Sequence, residues 1–155
     1  MSATRAYVDA LRMLARRELS EAQVRQRLAR KEYDDAAIDE AVARLLQERA
    51  LDDTRVAEAI ARTETAVRKR GRLRVKRKIE SAGIAAATAR QAVDEVFGGL
   101  DDDALLDAAL AKRLRLGKSI ADAREFNRLY RYLIGQGFEH DRVFARLKKK
   151  RDDRG

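Results

Sequence analysis

Displaced by 51 residues, the apolar positions of the first third of the chain fall onto those of the second. Val24, Leu28, Tyr33, Ile38, Val42 and Leu45 meet Val75, Ile79, Ile84, Ala89, Val93 and Val96. Displaced by 105, the same six meet Leu129, Leu133, Phe138, Val143, Leu147 and Lys150, of which only the last is polar. Helical periodicity alone can align two apolar stripes by accident. It does not account for the shared five-residue step across each junction, which breaks the period of 3.6. The junctions are Lys31-Glu32-Tyr33, Ala82-Gly83-Ile84 and Gln136-Gly137-Phe138. Each reads as a helix end followed by a large apolar residue that folds back on the preceding helix, with Gly at the left-handed position in two copies. The repeating unit is a three-helix module of about 50 residues. It divides the chain of 155 residues into 1–50, 51–99 and 100–155. A module that small buries little apolar surface alone, so neighbours must stack. The expected fold is all-α, an elongated and gently curved row of about nine helices.

Local signals agree. Proline is absent, and Ala, Leu, Arg and Glu, all strong helix formers, dominate. Tyr7, Leu11 and Leu14 recur at spacings of 4 and 3, as do Ile38, Val42 and Leu45. Ser20-Glu21-Ala22-Gln23 and Asp122-Ala123-Arg124-Glu125 read as capping boxes, Asp34 as the cap of a third helix, and Asp52 or Asp53 as that of a fourth. These signals predict helices near 5–17, 20–31, 35–48, 52–69, 72–82, 86–97, 102–116, 123–135 and 140–150.

The same composition narrows the chemistry. With no cysteine there is no disulfide, thiolate zinc site or thiol nucleophile. His140 is the one histidine, and near a helix start it reads as a surface or cap residue rather than a base. Asp101-Asp102-Asp103 lacks further ligands at regular spacing and reads as a loop and cap. Gly117-Lys118-Ser119 lacks the upstream glycine and the preceding strand of a phosphate loop. No nucleophile–base pair can be assembled by spacing. The expectation is a non-enzyme without cofactor or metal. No apolar run approaches the 18 or so residues of a membrane span, and the chain starts directly in a charged amphipathic segment. A soluble, cytoplasmic, monomeric protein is expected.

Charge supplies the positive signal. The net charge is +9, but residues 1–50 carry only 10 basic against 9 acidic residues. The densest run is 68–78, with eight basic residues in eleven and no acid. On the helix expected there, Val75, Ile79 and Ala82 point inward. Arg74, Arg77 and Ser81 then share the opposite face, with Arg70 at its start and Lys78 flanking. Together with Arg68, Lys69 and Arg72 they form a basic ridge able to follow phosphates. An ordinary solvated face is the competing explanation, and the lack of a compensating Glu within the run counts against it. Reversing Arg70, Arg74 and Arg77 is accordingly expected to leave the fold intact. Lys148, Lys149 and Lys150 form a second basic knot, a further candidate binding face for which favourable charge at the helix C-terminus is an equally good explanation. Tyr130 and Tyr132 cannot both face the core; packing, rather than stacking of one of them with Phe126 on a base, is the better reading.

Across residues 6–150 the chain resembles the RecX regulatory proteins, modulators of the bacterial recombinase RecA. The likeness is carried by Ser20 through Leu28, by Leu51-Asp52-Asp53-Thr54-Arg55-Val56-Ala57, and by Arg70-Gly71 through Ala82-Gly83-Ile84. Val56 departs from the family's usual aromatic residue, Glu32 from its Gly, and Ala50 from a Gly-Tyr-type pair. The resemblance implies a protein lying in the groove of a RecA filament on single-stranded DNA. There it would block filament growth, ATP turnover, strand exchange and co-protease activity, binding free DNA only weakly and without sequence preference. The rival from another class is an architectural DNA-binding protein built of helix-turn-helix-like modules. Against major-groove readout, Ala86 through Phe97 carries only Arg90 as a base.

Overall fold

The computed structural model describes residues 2–114 and 119–152. Among them are nine α-helices and no strand, so the chain is all-α. In chain order they are α1 (Ser2–Arg16), α2 (Glu21–Arg30), α3 (Asp35–Gln47), α4 (Asp53–Ala66), α5 (Arg72–Ser81), α6 (Ala86–Gly98), α7 (Asp102–Ala111), α8 (Ala123–Gly135) and α9 (His140–Asp152). Every predicted helix is present. Gly117 and Lys118 of the rejected phosphate-loop reading lie outside the described residues.

The caps are those that the sequence signals. Ser20 accepts from the Gln23 amide while the Gln23 side chain accepts from the Ser20 amide, closing the capping box of α2. Asp34 caps α3 and Asp101 caps α7. Asp52 accepts from the Arg55 amide at the start of α4, and Asp53 accepts from the Glu21 amide at the start of α2. At α8 the box is modified: Asp122 accepts from Glu125 N–H, but the Glu125 carboxylate accepts from Ala121 N–H, one residue before the cap. Three ends differ most from expectation: α1 begins early, at Ser2, and α4 and α7 stop short. Helix α4 stops at Ala66 because the chain turns left-handed at Lys69 (φ 55°) and Arg70 N–H bonds back to the Glu64 carbonyl. Helix α7 ends at Ala111, where Lys112 and Arg113 bond to Ala109 and Leu110 in a tightened final turn.

The three junctions share one backbone conformation. Glu32, Gly83 and Gly137 have φ of 69°, 82° and 99°. At two of them a Schellman closure is complete, with Tyr33 N–H bonded to Leu28 O and Phe138 N–H to Leu133 O. The repeated apolar positions are buried, except for the half-buried Tyr33 and Val96. Lys150, the polar sixth member of the third set, is exposed.

Packing groups the chain into two compact units, residues 1–59 with 79–92, and residues 60–78 with 93–155. The division falls within α4, α5 and α6. In the first unit α1 packs on α2 and α3 around Ala6, Ala10, Val24, Leu28, Val42 and Leu45. In the second, α7, α8 and α9 pack together, burying Leu106, Leu110, Phe126, Leu129, Leu133 and Leu147.

Candidate functional site

The basic run begins in the α4–α5 connection and continues along the first turns of α5, which belong to the second unit. Gly71 brings this segment against the α8–α9 turn. Its amide donates to Gln136 O at 2.9 Å and that of Leu73 to Gly137 O at 3.1 Å, so carbonyls from the end of α8 satisfy donors at the start of α5. The approach leaves no room for side chains: a Cβ on Gly71 would lie 2.6 Å from the Gly137 carbonyl. The docking also sets Arg74, whose guanidinium donates to Gly135 O at 3.1 Å.

Arg70, Arg74, Arg77 and Lys78 thereby line one shallow recess of about 390 Å³ with Gly135. Arg77 and Lys78 are exposed, and Arg74 is half-buried. The Arg74 guanidinium is held below the usual arginine range, first by burial and then by the positive charges of Arg70, Arg77 and Arg68, with Glu64 opposing. At the Arg74 guanidinium the like charges of its neighbours together outweigh Glu64, and a bound anion would relieve them.

Not all of the run is available. The sequence shows no acid within residues 68–78, but the fold brings three from outside. Glu64, with its side chain 4% exposed, pairs with Arg70 at 3.1 Å and Arg68 at 3.9 Å. Arg72 pairs with Asp102 at 3.4 Å and Asp94 at 3.6 Å, and lies over the Phe97 ring. Arg70 is therefore a structural partner of a buried carboxylate, and the expectation that its reversal spares the fold is corrected. Glu64 has a signal in the sequence: Ala57, Ala61 and Glu64 recur at 4 and 3 on the buried stripe of α4. Lys69 occupies the left-handed turn, half-buried. Lys148, Lys149 and Lys150 are exposed on the last turns of α9.

The aromatic candidates for base stacking are engaged. Phe126 is buried, the Tyr130 hydroxyl bonds to His140 Nδ1, and Tyr132 is half-buried under the Arg113 guanidinium. The exposed aromatic is instead Phe144, edge-on to Phe126. Asp101 serves as a cap and Asp103 pairs with Arg142. Among the described residues no group of three His, Cys, Asp or Glu is arranged to hold a metal, and no helix is long and apolar enough to cross a membrane.

Comparison with known proteins now adds to this geometry. Residues 6–45 match the family described as "RecX, first three-helix domain". The regulatory protein RecX of Halorhodospira halophila is 33% identical over 137 residues, which cover 88% of this chain and 82% of that protein. The chain belongs to the RecX family of regulatory proteins. The RecX of Geobacillus kaustophilus is 31% identical over 144 residues, and there the chain spans about half of the relative's length. The crystal structure of RecX from Lactobacillus salivarius superposes with a TM-score of 0.81, covering 96% of both chains at 21% identity. At that identity the likeness speaks for the fold, which the RecX family shares with this all-α chain.

Proposed function

We propose that this chain is a non-enzymatic regulator that binds the RecA filament on single-stranded DNA and inhibits its recombinase, ATPase and co-protease activities. Membership of the RecX family carries the reading. The recess lined by Arg74, Arg77 and Lys78, in which like charges outweigh Glu64 at Arg74, supplies a face suited to an anionic partner. Inhibition of this kind needs no catalytic group, only a surface with more affinity for one filament state than for another. Lys69, Lys148, Lys149 and Lys150 add to the cationic surface, while Arg68, Arg70 and Arg72 hold its frame through their ion pairs. In this reading the protein acts as a cytoplasmic monomer built of three tandem modules. Several weak contacts from successive modules would then multiply into tight binding.

The test adds the chain at substoichiometric ratios to RecA on single-stranded DNA and follows ATP hydrolysis. The reading predicts inhibition well below one chain per RecA. No effect on a well-formed filament, together with salt-sensitive binding to bare DNA, would favour the architectural DNA-binding reading instead.

A further inference from the structure

A second concentration of positive charge lies in the first unit, far in sequence from the α5 recess. Arg12, Arg16 and Arg17 from the end of α1 and its following turn face Arg27, Arg30 and Lys31 from the end of α2 across a cleft of about 540 Å³. Asp9 is the one carboxylate in the lining, so six cations stand against a single negative charge. That charge is already engaged: Asp9 accepts from the Tyr33 hydroxyl and lies 3.9 Å from Lys31 and 4.0 Å from Arg12. Among the described residues, no carboxylate lies within ion-pair distance of Arg16, Arg17, Arg27 or Arg30. Elsewhere the chain pairs its arginines freely, as at Arg55 with Glu18, Arg72 with Asp102 and Arg146 with Asp107. The two helix ends that carry these residues offer about half a negative charge each. Together with Asp9 that falls well short of six cations, so an anion of matching charge density lowers the free energy of the cleft.

We propose that this cleft binds a compact oligophosphate, a run of phosphoanhydride-linked phosphates such as a nucleoside triphosphate carries. The volume fits a nucleotide-sized ligand, within the roughly 300–1,000 Å³ of small-molecule sites. Cations on two facing helices surround an anion whose charges are adjacent, whereas a strand carrying one charge per phosphodiester suits an open ridge like that of α5. Planar guanidinium forks match the phosphate oxygens in bidentate geometry. Half-buried Met13 and the aliphatic stems of the arginines provide an apolar wall beside the charged one. The proposal goes beyond the RecA reading and does not depend on it.

Calorimetric titration of the full chain with inorganic triphosphate, ATP and a short oligothymidylate tests it. Triphosphate is expected to bind saturably, one per chain. Arg16→Gln/Arg27→Gln should weaken it at least about tenfold, the worth of one charge-assisted hydrogen bond, while Arg90→Gln/Arg131→Gln, two exposed arginines outside both basic sites, should leave it unchanged. Should the glutamine pair disturb the fold, Arg16→Lys/Arg27→Lys keeps the charge, loses the forks, and is expected to weaken binding by a smaller factor. Tighter binding of ATP than of triphosphate would assign the site to a nucleotide; equal affinity would assign it to oligophosphate itself. The proposal is overturned if triphosphate does not saturate below about 1 mM, or if both glutamine pairs weaken it equally. It is likewise overturned if only the oligothymidylate binds through Arg16 and Arg27, which would make the cleft a strand track.

Discussion

Glu32 holds a backbone conformation that favours glycine, φ 69°, at the place where the other two copies of the junction have Gly83 and Gly137. The left-handed region costs a non-Gly residue roughly 1–2 kcal/mol. The greater unfolded-state entropy of glycine returns about 0.4–1 kcal/mol of that. Glu32→Gly should therefore stabilise the chain by roughly 0–1.6 kcal/mol, the difference between those terms. The reverse changes differ from one another. A Cβ on Gly83 would meet only the Ala22 methyl, at 2.5 Å, whereas one on Gly137 would meet Arg74 backbone nitrogen at 2.4 Å. Gly83→Ala should cost about 2 kcal/mol, and Gly137→Ala about 3 kcal/mol or more, strain and overpacking together. Denaturant melts of the three variants check the order. Arg70 is the second decisive residue. Removing it leaves the Glu64 carboxylate, 4% exposed, only the longer contact of Arg68 at 3.9 Å, so Arg70→Ala should lose about 2 kcal/mol in the same melts, below the cost of a fully stranded charge. An unchanged melt would return Arg70 to the solvent-facing ridge. The junction glycines were legible in the sequence because a turn is set by neighbours. The partner of Arg70 has only an indirect signal, the apolar stripe of α4 on which Glu64 falls, and a window of net charge over 68–78 passes it by.

Among the elements, every helix was legible in the sequence and most ends fell close to expectation, since caps and apolar stripes are local; the ends without a cap signal, at α1, α4 and α7, were missed by several residues. What lay beyond the sequence was which helices exchange charges. Ser20 illustrates a cap that does more than cap: besides closing the box of α2, its buried hydroxyl donates to the carbonyl of Ala82, the residue that follows α5. Ser20→Ala should cost about 2 kcal/mol, one cap plus one buried acceptor left unpaired, as read by chemical denaturation. Helices α7 and α9 are joined by Asp107, which accepts from both Nε and a terminal nitrogen of Arg146. That hydrogen bonding holds Asp107 below the usual carboxylate range, against the opposing effect of burial, with the charges of Arg146, Lys150 and Lys149 adding to it. A carboxyl depressed in the folded state stabilises fully above its unfolded value of about 3.9, and the contribution is lost as pH falls through the folded value. Stability of the native chain should thus fall more steeply below about pH 4 than that of Asp107→Asn. Parallel acid titrations of the two would refute the pairing. The cleft of α1 and α2 was invisible for a related reason: its six cations are diluted in the near-neutral total of residues 1–50 by acids that sit elsewhere.

At the scale of the whole molecule the net charge of +9 resolves into two basic sites on separate units and a set of paired arginines that hold the frame. Family membership states that the chain is a regulatory protein of the RecX type; the α5 recess suggests where an anionic partner meets it. Arg77 is exposed and Arg74 is fixed by one carbonyl, so neither bears on the core as Arg70 does. Arg74→Glu/Arg77→Glu consequently separates working surface from fold. The measurement is inhibition of RecA ATP hydrolysis on single-stranded DNA by this double variant, beside its thermal melt. The melt should be lowered by no more than about 2 kcal/mol, within about 0.5 kcal/mol for the exposed Arg77 and about 0.5–1.5 kcal/mol for the Gly135 carbonyl that half-buried Arg74 would no longer bond. The account predicts inhibition at least about tenfold weaker. Full inhibition by a well-folded Arg74→Glu/Arg77→Glu protein would contradict it.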